Sequence, residues 1–389
     1  MKTYDAVIAG GGLIGASIAL ELAARGLRVA ILDRQDPGRE ASWAAAGMLS
    51  PAADLVDFPP LAPLSKASAA MYPSFIAEVE NLSGSKTGYR MCGAVEAFFG
   101  IAAGQERDAR VASIRSFGLE AETVSIEKFR QFAPALSAGI EAAAVLPTEA
   151  VVTPRDLMQA MLAACRNQRA DIFPGCAVQR VRQRRGCVAG VETETGDIAA
   201  EIVIIAAGSF SSLIPGLQGY APTSPVRGQM MALRHPAPAI SYTLRSERGY
   251  VVPRSDGLVV AGSTLEHTGF AKEVTTEGLQ QILEAAIELA SNLASAQVRD
   301  TWSGLRPDTP DHLPILGGCE INGLIFATGH YRNGILLAPI TARVIGELVL
   351  HKKPSLDLSA FSPLRFSGKA NNTDTLPDRS KSPLEGVPS

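Results

Sequence analysis

The sequence predicts an α/β protein: a Rossmann-like dinucleotide-binding domain assembled from three chain segments, joined to an α+β domain built on an antiparallel sheet. Three observations carry this. The chain opens with a short apolar strand that runs into Gly10-x-Gly12-x-x-Gly15, then a helix-like stretch, then a second strand ending at Asp33. Two later apolar runs, 202–208 and 323–329, each end in glycine, as fully buried parallel strands do. Between them, residues 222–266 alternate β-like segments with turns.

The opening order of strand, glycine turn, helix, strand and acid is that of a dinucleotide-binding βαβ unit. Gly10 permits the tight turn. Gly12 lets a pyrophosphate approach the backbone, and Gly15 lets the helix pack close to the strand. Free N–H groups at the helix start meet the phosphate charge. Asp33 stands where a carboxylate accepts hydrogen bonds from ribose hydroxyls. The motif alone does not separate FAD from NAD. Arg34 raises a 2′-phosphate, and hence NADP, but the adjacent Asp33 opposes a second negative charge there. A surface arginine is the simpler reading.

Composition excludes several classes. A net charge of −3 over 389 residues, with basic residues scattered, predicts no polyanion partner. The five cysteines are odd in number and lack CxxC spacing, so neither a complete disulfide framework nor a metal site is expected. The five histidines form no HxxxH or HExxH pattern. No apolar run reaches the roughly 18–20 residues of a spanning helix. Asp5 and three consecutive glycines break the N-terminal apolar stretch as a signal peptide. A soluble cytoplasmic protein is the expectation.

Along the chain, 38–65 is rich in Ala, Gly and Pro and reads as loop and short helix. Helices are expected over 71–82, 106–117 and 125–132, with strands over 94–99 and 142–146. Thr153-Pro154 starts a helix that runs to about 164, with proline at its first position. Strands follow near 177–181, 188–193 and 201–205, then 250–253 and 258–262. A helix over 278–290, a strand over 298–305 and a helix over 335–351 complete the pattern. From about 367 the composition turns polar, which predicts a disordered tail over 367–389.

Four blocks could carry chemistry. The first is the glycine turn. The second, Gly38 to Leu49, clusters small residues after the acid-bearing strand, where a backbone can lie against a flat ligand and Ser42 can donate to a phosphate. The third is Trp302-Ser-Gly304-Leu-Arg306-Pro307-Asp308-Thr-Pro310-Asp311. The fourth is Gly329 to Pro339, where a buried strand gives way to a helix start that favours negative charge. An isolated arginine would more often be a structural ion pair, so Asp308 and Asp311 are the alternative partners of Arg306 and Arg332. Tyr250 could be a buried aromatic with a satisfied hydroxyl. His330 reads as packing rather than as a base, and Trp302 as core.

Together the four blocks resemble the FAD-dependent amine oxidases related to D-amino-acid oxidase, and within them the glycine oxidases of the ThiO type. The resemblance spans about 3–366. Its most specific stretches are 41–49, the tract around Tyr250 to Arg254, 304–311 and 329–339.

It implies an FAD-binding domain over 1–88, 149–219 and 318–366 and a substrate-binding domain over 89–148 and 220–317. It implies non-covalent FAD, and Cys319 is not expected to attach it. Gly10, Gly12, Ile14 and Gly15 would face the pyrophosphate, with Asp33 and Arg34 at the adenosine end and Val178 meeting adenine through its backbone. Ala41, Ser42, Ala46, Gly47 and Met48 would line the pyrophosphate and flavin. Gly208 closes the second buried strand beside the cofactor. His330, Tyr331, Arg332, Asn333, Gly334, Ile335 and Leu336 would wrap the flavin ring. Arg306 would clamp the substrate carboxylate, Tyr250 would add a donor, and Arg332 would lie at the amine edge.

The implied reaction is oxidative deamination of glycine and other small amines by hydride transfer to flavin N5. Re-oxidation by O2 gives H2O2, and the imine yields glyoxylate or is passed to thiamine thiazole synthesis. A D-amino-acid or sarcosine oxidase, or a dehydrogenase of the same family, is the alternative. Self-association, as a tetramer, is a further expectation of the resemblance.

Overall fold

The computed structural model describes residues 3–132, 135–234 and 240–367. The expected disordered tail thus falls, apart from Ser367, outside the described residues.

Five parallel strands form the heart of the first sheet, in the order Leu324–Thr328, Gly196–Ile205, Thr3–Ala9, Val29–Leu32, Asp171–Phe173. Three separated parts of the chain supply them. The run expected over 202–208 pairs in parallel with the first strand, Ile202 opposite Ala6 and Ile205 opposite Ala9. Such strands are buried on both faces and read as continuous apolar runs. Ile204 and Ile8 point to one core with the helices Leu13–Ala23, Ala62–Ser83, Pro154–Asn167 and Gly334–Val349. Val203, Ile205 and Val7 point to a second core on the opposite face. Val178–Arg184 and Cys187–Thr193 extend the sheet as an antiparallel hairpin.

The second sheet has eight strands, Gln297–Asp308, Ser224–Arg234, Leu258–Gly262, Tyr250–Pro253, Thr243–Arg245, Ala94–Phe98, Ala142–Leu146 and Glu122–Val124 in spatial order. It is antiparallel as expected, except that Thr243–Arg245 and Ala94–Phe98 run parallel. That pairing joins two distant parts of the chain, so no hairpin dictates its direction. Cross-strand partners share a face, and one row runs Trp302, Met230, Gly262, Tyr250, Arg245, Glu96. The neighbouring positions Met231, Ala261, Val251, Leu244 and Val95 point the other way and pack with Ile282 and Ala286 of the helix Thr276–Leu289. Period-two alternation thus turns one apolar face to the helix and a mixed row, polar from Tyr250 to Glu96, to the other side.

The helix expected over 71–82 begins nine residues earlier, at Ala62. Leu64, Ser65, Ser68, Tyr72, Ile76 and Val79 are its buried residues and lie on one stripe at helical spacing. Pro63 occupies its first turn, where no N–H is needed. Pro73 lies inside it, as within the expected span. All five cysteines are free. Among the described residues, no helix is long and apolar enough to cross a membrane.

Candidate active site

The glycine turn is shaped by close approach. Gly10 has φ +111°, and a Cβ there would stand 2.3 Å from the carbonyl oxygen of Ala206. A Cβ on Gly15 would meet the Gly10 carbonyl oxygen at 2.0 Å. The helix is therefore seated against the turn, as the motif predicts. At Gly12 the nearest atom is the Ser42 Oγ at 3.2 Å, and this residue opens onto a cavity of about 1330 Å³.

Asp33 lines the same cavity and accepts from the N–H groups of Gly11 at 2.8 Å and Gln35 at 3.0 Å. Burial pushes its carboxyl up against these two bonds. Arg34 is bound to Glu40 and lies over the Phe210 ring with its Cζ 3.5 Å from the centroid. It is thus neutralised, as a surface arginine would be, and offers no free cation for a 2′-phosphate. Ile14, Val178 and Gly208, with φ +55° at Gly208, line the same end.

Ser42 Oγ accepts from the backbone N–H of Leu13 at 2.9 Å. It caps the first helix and keeps its own hydrogen for a ligand. Ala41, Ala46, Gly47 and Met48 continue along the cavity wall. Gly47 has φ +78°, and a Cβ would strike the Val152 carbonyl oxygen at 2.2 Å. Arg254 fastens this turn, donating to the carbonyls of Ala46 at 2.6 Å and Val152 at 2.7 Å. Burial pulls its pKa down to about 10, so it remains charged at neutral pH. Trp302 is half-buried rather than core and donates to the Ala44 carbonyl at 3.0 Å.

The opposite wall is the segment 329–336. His330 is buried, with its Nε2 3.0 Å from Thr341 Oγ1. Burial pulls its pKa down to about 3, so the ring is neutral and suits packing rather than proton transfer. This sets a pH dependence. An unfolded histidine titrates near 6.5, so between 6.5 and about 3 the unfolded chain holds one more proton. Stability is lost as pH falls through that window, by about 1.4 kcal/mol per pH unit from this group. Chemical unfolding at neutral and mildly acidic pH should show a shallower dependence for His330→Gln than for the wild type.

Gly334 starts the helix Gly334–Val349, with Asn333 at its N-cap. Pro339 lies inside this helix and has no N–H, which strips the Ile335 carbonyl of its helical donor. The buried Tyr72 hydroxyl donates to that carbonyl at 2.6 Å, and Ser68 donates to the Leu336 carbonyl at 2.5 Å. The helix Ala62–Ser83 therefore holds the first turn of the cavity-facing helix. Tyr72→Phe leaves a buried carbonyl without a partner and should cost about 1–3 kcal/mol of unfolding free energy. An unchanged denaturation midpoint would show that Tyr72 does not serve this carbonyl.

The third wall is the cavity-facing side of the second sheet. Arg306 is half-buried and lines the cavity. Its Nη2 donates to Ser263 Oγ at 2.6 Å and its Nη1 to the Thr264 carbonyl at 3.2 Å. Among the described residues, no carboxylate forms an ion pair with it. Asp308 is taken by His312 at 2.7 Å, and Asp311 by Arg365 at 2.7 Å. The guanidinium lies flat over Gly228, where a Cβ would stand 2.3–2.5 Å from three of its atoms. Among the described residues, Tyr250 directs its hydroxyl only at the Met230 sulfur, 3.3 Å away, a weak acceptor. Arg332 differs: it is paired with Asp54 at 2.7 Å, and Asn333 donates to the other oxygen of Asp54 at 2.8 Å. Its partner is thus neither Asp308 nor Asp311.

Behind Tyr250 the row continues into a buried charge network. Arg245 bonds Glu149 at 2.8 Å and Glu96 at 3.0 Å. Arg110 bonds Glu96 at 2.9 Å, and Ser50 donates to Glu149 at 2.6 Å. Burial pushes the Glu96 carboxyl up, but Arg245 and Arg110 outweigh it and hold it below the usual range. Glu149 stays above the usual range because burial exceeds the help it receives from Arg245 and Ser50.

Gly228, Ser263, Arg254, Asp54, Tyr72 and the charge network were not singled out from sequence for these roles. A glycine inside the long strand Ser224–Arg234 was the available signal for Gly228, since such a residue often marks close approach. The polar partners contact groups far away in sequence, which no local pattern reveals.

A Rossmann-like cleft facing a sheet that presents a guanidinium with no carboxylate partner among the described residues fits a dinucleotide-dependent oxidoreductase. The family of FAD dependent oxidoreductases (DAO) matches residues 5–348, and the chain belongs to it. FAD is its cofactor, and the glycine cradle, the backbone-bound Asp33 and the capped helix start fit that group. The chain is 33% identical to a glycine oxidase of Geobacillus kaustophilus, over 94% of this chain and 98% of that protein. The crystal structure of glycine oxidase from Geobacillus kaustophilus superposes with a TM-score of 0.90 at 32% identity, covering 94% of this chain and 99% of that one. The bifunctional protein ThiO/ThiG of Trichormus variabilis is 36% identical over 95% of this chain. The chain spans 56% of that protein's length.

Proposed function

We propose that this protein oxidatively deaminates glycine and other small primary or secondary amines. The observation that carries the proposal is Arg306, a guanidinium open to the cavity with no carboxylate partner among the described residues. An amino-acid carboxylate in a largely apolar cavity needs such a cation, and arginine offers two parallel donors. Ser263 and the Thr264 carbonyl hold one side of the guanidinium and leave the rest for substrate. Tyr250, whose hydroxyl has only a thioether partner among the described residues, adds a further donor. The clamp fixes the Cα–H and the amine in one orientation, and positioning does most of the catalytic work. No side chain need act as a base on the neutral amine, consistent with a neutral, buried His330.

Bound FAD supplies the two-electron acceptor, which O2 re-oxidises. The balance is glycine, O2 and water giving glyoxylate, ammonia and H2O2. The imine, before hydrolysis, is the species a thiamine thiazole synthesis would take, and the similarity to ThiO/ThiG supports that destination. Arg332, held by Asp54, stands at the rim of the site and orders the segment 329–336. We place the protein in the cytoplasm as a homotetramer; a monomeric mass by light scattering at micromolar concentration would contradict the assembly.

The test is anaerobic mixing of the FAD-loaded protein with glycine, sarcosine and D-alanine, followed by its visible spectrum. Bleaching by glycine, reversed by air with H2O2 formed, is the expected result. A flavin band that glycine leaves intact would overturn the assignment, and faster bleaching by D-alanine or sarcosine would move it to those amines.

A further inference from the structure

We infer that Phe270 and Lys272, carried on the loop after the strand Leu258–Gly262, close a clasp over the adenosine end of the FAD cleft and slow the release of the cofactor. The clasp is a closed ring of contacts. Phe270 stacks on Phe210, with centroids 4.9 Å apart and rings 29° from parallel. Arg34 covers Phe210 with its Cζ 3.5 Å from the centroid and is bound to Glu40. Lys272 returns to Glu40 at 2.8 Å and completes the circuit. Arg34, Glu40 and Phe210 line the cleft next to Asp33, while Phe270 and Lys272 hold them from outside.

The loop is anchored on its own module, so the reach of its tip is built in. Arg227 and Glu266 form a backbone bridge at its start, and Arg227 donates to the Glu273 carbonyl at 2.9 Å. The Thr275 N–H donates to the Gln229 side chain at 2.8 Å, and Ser303 donates to the Lys272 carbonyl at 2.5 Å. Phe270 nevertheless remains 40% exposed, a large ring held at the surface by its stack with Phe210. The ring of contacts links stacking, cation–π and ionic terms, which are individually modest and act together only while the tip is seated.

The experiment follows release of flavin fluorescence from the holoenzyme after dilution, with no amine present, so its outcome is separate from that of the glycine assignment. Phe270→Ala and Lys272→Ala should each release FAD faster, by about threefold to tenfold, tenfold being about 1.4 kcal/mol. Phe270→Tyr should restore slow release. His267→Ala, on the same loop but outside the ring, should match the wild type. Added salt should accelerate the wild type more than Lys272→Ala. Wild-type rates in both alanine variants would overturn the clasp, as would equal acceleration by His267→Ala.

Discussion

Replacing Arg306 by leucine is expected to lower kcat/KM for glycine on the order of 10³-fold while the protein still binds FAD. Truncating one partner of a desolvated charge pair costs about 2–5 kcal/mol. The bonds Arg306 makes within the chain are to Ser263 and Thr264, which follow the second-sheet strand Leu258–Gly262, so cofactor retention should not follow the activity down. Gly228→Ala tests the geometry without removing the charge. Its methyl group would collide with three guanidinium atoms at 2.3–2.5 Å, so Arg306 must leave its place. Most of the same loss should appear, largely in KM. Steady-state kinetics with a matched flavin absorbance spectrum decides the matter. Wild-type kinetics in Gly228→Ala would show that the flat placement of the guanidinium has no function.

Arg245→Met should produce the largest loss of stability. Arg245 is buried and serves both Glu96 and Glu149, and Glu149 is 2% exposed. Methionine fills the volume but leaves Glu149 with Ser50 as its only remaining donor among the described residues. Breaking such a network from one side costs about 3–5 kcal/mol. The pH dependence has a definite sign. Without Arg245, burial raises the Glu149 carboxyl further and it takes up a proton in the folded state. The unfolded carboxyl is ionised above its ordinary value of 4.5, so the penalty grows as pH rises from there. Denaturant unfolding at acidic and neutral pH should therefore show a larger deficit at neutral pH. A variant equal to the wild type at both would mean that the network contributes specificity rather than stability.

Much of the frame was legible in the chain. The glycine turn, Asp33 and the runs over 202–208 and 323–329 fall where their periodicity places them, because each is determined by neighbours close in sequence or by burial on both faces. The helix Ala62–Ser83 was read short at its start, because the Ala- and Pro-rich stretch before it reads as loop, and it is packing of the Leu64–Val79 stripe against the nucleotide module that carries the helix back to Ala62. The parallel pairing of Thr243–Arg245 with Ala94–Phe98 was missed because neither strand carries a mark of its distant partner.

At the site the division follows the same line. The motifs located Arg306, Tyr250 and Arg332, but residue type does not say which arginine is free. Asp54, 278 residues from Arg332 in sequence, folds under the segment 329–336 and pairs with it. Asp308 and Asp311, close to Arg306 in sequence, turn to His312 and Arg365. Local patterning therefore gave the class of fold, and the family resemblance named the candidate residues. Which charges are neutralised and which remain for substrate depends on side chains brought together across hundreds of residues. An ion pair forms between groups that the packed backbone places within reach, and that placement is a property of the assembled sheets rather than of any short stretch of chain.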